Sequence, residues 1–142
     1  MEKVFVDTSG WVALFAENDQ SHKEAVSIFE EIKSSKVSIY TSDYCIDETI
    51  TTILARGNHK QSVLAGEALF TSKIIKIVYV CPDYLKGSWE LYQRYKDKSF
   101  SFTDVTSFVI MKAFNIKKAF AFDREFVQAG IELIEKLTRR SM

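Results

Sequence analysis

The sequence Lys3-Val4-Phe5-Val6-Asp7-Thr8-Ser9-Gly10 decides the fold class of this chain. Its first four residues form a short, mostly apolar run, which predicts a buried β-strand that ends at Asp7. An apolar helix is predicted to follow at once and to continue through Ala16. A strand that leads directly into a helix is the repeating unit of proteins with a parallel sheet.

The same alternation of strand and helix continues along the rest of the chain. Further strands are predicted at residues 37–40, 74–80, 118–122 and 131–134, and helices at residues 21–34, 42–56, 59–72, 82–95 and 102–114. Parallel strands need crossover connections, and the helices that make them cover both faces of the sheet. The predicted fold class is therefore α/β, a three-layer α/β/α sandwich with a central, mostly parallel sheet.

The composition describes an ordinary globular domain. The chain has 142 residues, 46% of them hydrophobic, with five glycines and one proline, which excludes a disordered or loop-dominated protein. We expect one domain over residues 1–142, with a core at about 3–134 and a C-terminal tail at 135–142. No apolar run reaches the ~20 residues of a membrane helix, and no leader precedes the first strand. Two cysteines, two histidines and a net charge of zero favour a cytoplasmic protein without disulfides or a thiolate zinc site.

Acidic residues are concentrated in the most apolar parts of the sequence. Residues 4–16, 37–55, 99–116 and 119–123 contain a single base, Lys112, and six acids: Asp7, Asp43, Asp47, Glu48, Asp104 and Asp123. A buried carboxylate needs a charged partner, a set of hydrogen bonds or a metal ion, and these segments offer almost no basic partners. Mg²⁺ and Mn²⁺ prefer such oxygen ligands, so a divalent cation is the predicted counter-charge.

Most of these acids also have a purely structural interpretation. Asp7 can cap the helix that follows it, Asp104 fits a capping box, and Asp123 can cap a turn. Glu48 differs, because it lies inside a helix on a face of small and hydroxyl side chains, away from the apolar face. Its neighbour Asp47 lies at the flank of the apolar face, and periodicity leaves the choice between the two open.

Four short motifs follow one another along the chain. They are the strand with Asp-Thr-Ser at residues 4–9, Glu48 in the helix after the second strand, Ser-Phe-Thr-Asp at residues 101–104, and the strand end Phe-Asp-Arg-Glu-Phe at residues 122–126. In this order they resemble the PIN domain, and among PIN domains the VapC-type ribonuclease toxins of toxin–antitoxin pairs. Each motif alone is common, but the four together are specific, and the resemblance covers residues 3 to about 134.

The resemblance implies an endoribonuclease that hydrolyses RNA with a metal-activated water and one or two Mg²⁺ or Mn²⁺ ions. The acids that it implies as metal-binding and catalytic are Asp7, Glu48, Asp104 and Asp123. Asp7 and Asp104 are expected as direct ligands. The hydroxyls of Thr8 and Thr103 are expected to orient the carboxylates or a water.

The resemblance also implies partners. Family members cut structured RNA, often transfer RNA or ribosomal RNA, and they usually form homodimers. A cognate antitoxin holds them inactive by placing a segment in the active-site groove. For this chain we therefore expect an RNA substrate, an antitoxin and a second copy of itself, and no membrane.

A basic and aromatic segment lies just before the third motif. Its residues are Tyr92, Arg94, Tyr95, Lys96, Lys98 and Phe100. Basic side chains hold phosphates and aromatic rings stack on unpaired bases, so one interpretation is an edge that faces RNA. The other is an ordinary solvated helix end. Arg124, beside Asp123, either clamps a scissile phosphate or forms a simple salt bridge.

Two other functions fit parts of the sequence. A haloacid-dehalogenase-like phosphohydrolase also has an aspartate after its first strand. It needs a second acid two residues later, however, and this chain has Ser9 there. A PIN module that binds RNA or a protein partner without cleaving RNA is the other alternative, and the four intact acids count against it.

Overall fold

A computed structural model describes residues 2–134, and its elements alternate as the sequence predicts. The strands are β1 (Glu2–Val6), β2 (Val37–Ser42), β3 (Ile75–Val78), β4 (Lys118–Phe120) and β5 (Glu132–Leu133). The helices are α1 (Thr8–Phe15), α2 (His22–Ser34), α3 (Asp43–Arg56), α4 (His59–Thr71), α5 (Pro82–Arg94), α6 (Phe102–Ala113) and α7 (Glu125–Gln128). The predicted tail, residues 135–142, lies outside the described residues. Within residues 2–134, no helix combines the length and the apolar character needed to cross a membrane.

The five strands form one sheet in the order β3-β2-β1-β4-β5, and every pairing is parallel. β1 is the central strand, between β2 and β4. Val6, the last residue of β1, pairs with Phe120, the last residue of β4. The segments that follow these two strands therefore begin side by side at the carboxyl edge of the sheet.

Helices cover both faces of the sheet, as predicted for three layers. In β1, Val4 and Val6 pack into a core with α1, α2 and α4, whereas Phe5 points to the opposite face and packs with α6. This alternation follows from the two-residue period of a strand. The predicted α/β/α sandwich is confirmed, with a sheet that is parallel throughout the described residues.

A close approach of α1 to β4 positions the carboxyl edge. The backbone N–H of Asp7 donates to the carbonyl of Phe120 at 3.2 Å, and that of Phe122 donates to Ser9 Oγ at 2.9 Å. A Cβ atom on Gly10 would lie only 2.5 Å from the Phe120 carbonyl oxygen, so only glycine allows this packing. These contacts fix the turn that carries Asp123 against the start of α1.

Candidate active site

An acidic cleft of about 470 Å³ opens at the carboxyl edge of the sheet. We use this name for the cleft lined by six acids: Asp7, Asp19, Glu48, Asp104, Asp123 and Glu125. The described residues that line it include a single base, Arg56. All four acids singled out from the sequence are thus brought together, and two further acids join them.

Asp7 is the most deeply buried of these carboxylates, with 2% of its surface exposed. Its Oδ2 accepts hydrogen bonds from the backbone N–H of Ser9 at 3.1 Å and from Ser9 Oγ at 2.8 Å, which caps α1. Its Oδ1 is also buried, and no described residue donates a hydrogen bond to it. Burial raises the pKa of Asp7 from 3.8 to about 6, against the opposing effect of the Ser9 hydrogen bonds.

Asp104 lies in the first turn of α6 and is also buried. Its Oδ2 accepts from the backbone N–H of Ser101 at 3.1 Å, while its own N–H donates to Ser101 Oγ at 3.0 Å, which completes a capping box. Burial and, to a smaller extent, the nearby charges of Asp7 and Asp123 together raise the pKa of Asp104 from 3.8 to about 7. Asp104 and Asp7 therefore share one site, in which the charge of Asp7 makes Asp104 harder to ionise.

Asp123 and Glu125 complete the cluster from the segment after β4. Asp123 Oδ1 accepts from the backbone N–H of Glu125 at 2.9 Å. One carboxylate oxygen each of Asp104, Asp123 and Glu125 lie within 4.8 Å of one another. Glu125 is not among the acids singled out from the sequence, where it is included only in the motif at residues 122–126. Its position two residues after Asp123 was the available signal, because a tight turn returns that side chain to the same rim.

The capping interpretation is confirmed for Asp7, Asp104 and Asp123. In each of them one carboxylate oxygen accepts a hydrogen bond at the start of a helix or within a turn. A carboxylate has a second oxygen, and in Asp7 that oxygen is the buried one without a donor. Capping and metal binding are therefore compatible roles, because the cap also fixes the direction of the carboxylate.

The structure distinguishes Glu48 from Asp47. Glu48 is half-buried and lines the acidic cleft, whereas Asp47 is exposed and is not among the described residues that line it. Thr52 and Arg56 line the same cleft. Residues four apart on a helix share one face, so Glu48, Thr52 and Arg56 form one stripe of α3 that faces the cleft.

The two threonines predicted to orient the carboxylates have different positions. Thr8 is buried and lines the acidic cleft. Thr103 is not among the lining residues. Its carbonyl oxygen accepts hydrogen bonds from the hydroxyls of Thr106 and Ser107 inside α6, at 2.6 and 3.2 Å.

The predicted RNA-binding residues lie outside the acidic cleft. Arg94, Lys96, Lys98 and Arg124 are all exposed. Arg94 lines a separate groove of about 910 Å³ between α5, α6 and the segment before β5. Of the neighbouring aromatic residues, Phe100 is buried and packs against the half-buried Tyr95, with ring centroids 4.9 Å apart. These two rings belong to the core.

The donor set of the acidic cleft fits a divalent cation. Asp7 Oδ1 and Glu125 Oε2 are buried oxygens to which no described residue donates a hydrogen bond. The ion pairs resolved within residues 2–134 do not include Asp7 or Asp104. Several carboxylate oxygens in one cleft are the ligand type of Mg²⁺ and Mn²⁺.

Comparison with known proteins agrees with this geometry. The PIN domain family matches residues 4–132. The 23S rRNA-specific endonuclease VapC20 of Mycobacterium tuberculosis, from strains CDC 1551 / Oshkosh and ATCC 25618 / H37Rv, is 34% identical over 127 residues. That alignment covers 89% of this chain and 94% of VapC20. The crystal structure of VapC20, described as a Sarcin-Ricin loop cleaving toxin, has a TM-score of 0.83 at 33% identity and covers 90% of this chain and 95% of that one.

More distant structures share the fold alone. VapBC2 from Rickettsia felis, bound to a DNA fragment from its promoter, has a TM-score of 0.69 at 12% identity, covering 92% of this chain and 96% of that chain. FitAcB from Neisseria gonorrhoeae has a TM-score of 0.64 at 15% identity, covering 92% and 95%. The family match removes the dehalogenase-like alternative. It covers nearly the whole described region, and this chain therefore belongs to the PIN-domain family.

Proposed function

We propose that this chain is a metal-dependent endoribonuclease and the toxin of a toxin–antitoxin pair. The single observation that carries the proposal is the acidic cleft, in which Asp7 and Asp104 are buried together and take part in none of the ion pairs of residues 2–134. Carboxyl groups with raised pKa values in a cleft are typical of active sites. The identity to VapC20 over most of both chains supports RNA as the substrate.

The residues that would hold one or two Mg²⁺ or Mn²⁺ ions are Asp7, Glu48, Asp104, Asp123 and Glu125. A bound ion of this kind supplies an activated water and stabilises the leaving oxygen of a phosphodiester. The chain itself holds the carboxylates in place: Ser9 fixes Asp7, and Ser101 fixes Asp104, through the hydrogen bonds that cap their helices. Thr8, buried beside Asp7, supports the same site.

The proposed substrate is 23S rRNA, cut in its sarcin–ricin loop. VapC20 is named for this substrate and is similar to this chain over 127 residues. The exposed Arg94, Lys96 and Lys98 are proposed to contact RNA outside the cleft, and Arg124 beside it. The proposed location is the cytoplasm, where ribosomes are found and where the unpaired Cys45 and Cys81 would stay reduced.

The proposed protein partners are a second copy of this chain and a cognate antitoxin. Both follow from the resemblance to VapC-type toxins. Light scattering of the purified chain tests the homodimer directly.

A cleavage assay tests the proposed activity. An end-labelled RNA hairpin with the sarcin–ricin loop sequence is incubated with Mg²⁺ or Mn²⁺, or with EDTA. We expect Asp104→Asn to reduce the cleavage rate at least about 100-fold, because one lost ligand removes several kcal/mol of transition-state stabilisation. Asparagine keeps an oxygen that accepts from Ser101, so the fold is retained.

Glu2→Gln is the matched control, since it makes the same carboxyl-to-amide change at the opposite end of the sheet. Its cleavage rate should stay within about twofold of wild type. Full activity of Asp104→Asn, or cleavage in EDTA, would contradict the metal site. Binding of RNA by the wild-type chain with no cleavage of this hairpin or of total ribosomal RNA would support the inactive PIN module instead.

A further inference from the structure

The charge of the acidic cleft poses a problem for an RNA substrate. Six carboxylates line it, and each nucleotide of RNA brings a negative phosphate. Divalent ions would neutralise the carboxylates nearest to Asp7 and Asp104. Asp19 and Arg56 at the end of α3 also line the cleft, and Arg56 is the single base among its described lining residues.

Arg56 is the last residue of α3 and belongs to the stripe that faces the cleft. Glu48, Thr52 and Arg56 are spaced by four residues, and all three line the cleft. The stripe therefore runs from the carboxylates to a guanidinium along two turns of one helix, a rise of about 12 Å. A strand of RNA that follows this stripe passes from the proposed metal site to a cation.

Asp19 holds the guanidinium in this position. Asp19 Oδ2 lies 3.3 Å from Arg56 Nη1, while Asp19 Oδ1 accepts from the backbone N–H of Ser21 at 2.8 Å. The Asp19 side chain is 17% exposed and that of Arg56 is 58% exposed. A guanidinium has five N–H donors in a fixed plane, and this ion pair engages a single nitrogen, Nη1, at one edge of it.

We infer that Arg56 binds a backbone phosphate of the RNA, with Asp19 as a positioning residue that orients it. The inference rests on the proposed function and assigns a substrate contact within the same cleft. Guanidinium groups bind phosphate through two parallel hydrogen bonds, which suits a side chain that is already held along one edge. Arg56 then sets the affinity for RNA, and the carboxylates set the rate of cleavage.

The competing explanation is a structural one. The Arg56–Asp19 pair joins the end of α3 to the segment between α1 and α2, and an exposed ion pair of this kind contributes little to stability. The two explanations differ in a measurable way, since a structural tie changes the melting temperature without changing the affinity for RNA.

The experiment measures binding of the labelled sarcin–ricin hairpin by fluorescence anisotropy in EDTA, at several salt concentrations, for wild type, Arg56→Gln and Arg56→Lys. We expect Arg56→Gln to weaken binding about tenfold and to lower the slope of log K against log salt by about 0.7, the value for one lost phosphate contact. Arg56→Lys should recover part of the affinity, because it keeps the charge but loses the planar fork. In Mg²⁺, KM should rise for Arg56→Gln while kcat stays within about threefold.

Lys33→Gln is the matched control. Lys33 also forms an exposed ion pair, with Glu30 at 2.9 Å, and it is not among the described residues that line the cleft. Its variant should bind the hairpin like wild type. Unchanged affinity and slope in Arg56→Gln, or an equal loss in Lys33→Gln, would overturn the inference.

The outcome is separable from that of the proposed function. If the wild-type chain binds the hairpin but cleaves no RNA, the enzyme proposal fails, and the Arg56 inference is still decided by binding. If Asp104→Asn loses cleavage while Arg56→Gln binds normally, the inference alone fails. If the wild-type chain binds neither the hairpin nor total ribosomal RNA, both fail.

Discussion

Charged side chains have opposite surroundings at the two ends of the central strands. At the amino end, Glu2 of β1 and Lys118 of β4 form an ion pair at 2.6 Å, and both side chains are partly exposed to water. At the carboxyl end of the same strand β1, Asp7 is buried near Asp104, and burial raises the pKa of both groups. Within residues 2–134, the ion pair neutralises charge where β1 begins, whereas Asp7 and Asp104 take part in no ion pair where it ends.

The difference shows which end carries the function. Packing alone would place a cation beside a buried carboxylate, or replace it with an apolar side chain, as both options cost less. Instead, hydrogen bonds from Ser9 and Ser101 hold the carboxylates of Asp7 and Asp104 in fixed directions. A metal-binding site needs carboxylates that are held in fixed directions and are not already paired with basic side chains. Variants at the two ends of β1 test this difference.

The largest expected effect on stability is a pH dependence in the absence of metal. Asp7 has a pKa of about 6 in the folded chain and an ordinary value of 3.8, so the folded state binds more protons between these values. The free energy of unfolding should therefore decrease as the pH rises through this window, by about 3 kcal/mol from Asp7 alone. Urea unfolding in EDTA between pH 4 and pH 8, for wild type and Asp7→Asn, measures this contribution.

The difference between the two proteins is the informative quantity, because other carboxyl groups titrate in the same range. Asp7→Asn keeps an oxygen that accepts from Ser9, and it should be more stable than wild type at pH 8. Glu2→Gln should follow the wild-type pH profile. Parallel profiles for wild type and Asp7→Asn would show that Asp7 carries no burial penalty.

The second prediction concerns metal addition. A divalent cation that binds only the folded chain should stabilise it by about 2.7 kcal/mol at 100 times its Kd, which raises the Tm by several degrees. Glu125→Gln should reduce this rise, because Glu125 shares a cluster of carboxylate oxygens with Asp104 and Asp123. Thermal unfolding at pH 8 with Mg²⁺, Mn²⁺ or EDTA measures the shift.

Asp47→Asn is the control for this measurement, as Asp47 is exposed and lies outside the described lining of the cleft. It should keep the full metal-dependent rise in Tm. An equal reduction in both variants would mean that the cation binds as a diffuse counter-ion and not at the cluster.

The sequence predicted most of the fold because local patterns determine its elements. Apolar runs and helical periodicity predicted all five strands and six of the seven helices of residues 2–134, but not all of their ends. β3 and β4 end two residues earlier than predicted, β5 ends one residue earlier, and β2 ends two residues later. β4 ends at Phe120 and not at 122, since the N–H of Phe122 bonds to the Ser9 hydroxyl. β3 ends at Val78, and the N–H of Val80 bonds to the Asp43 carboxylate instead. Both bonds join segments distant in sequence.

Glu48, inside α3, was predicted with Asp47 as its alternative, and it lines the acidic cleft. The other predicted acids of the site follow a strand or begin a helix. Asp7, Asp104 and Asp123 have such positions, and all three line the acidic cleft. Arg56 and Asp19 were not predicted, because their pairing spans 37 residues and neither lies in a motif. The proximity of Arg56 and Asp19 depends on how α3 packs against the rest of the fold, and this packing could not be inferred from a single sequence.

The smallest effect is expected at the amino end, from the loss of the Glu2–Lys118 ion pair. Glu2→Gln should lower the free energy of unfolding by no more than about 1 kcal/mol, and less in high salt, because water and ions screen an exposed pair. At pH 8 in EDTA, the same carboxyl-to-amide change at Asp7, five residues further along the chain, should raise the free energy of unfolding. Urea unfolding of the two variants at low and high salt measures whether each change raises or lowers the free energy of unfolding. If both changes destabilise the metal-free chain, the two ends do not differ in the way the buried carboxylates require.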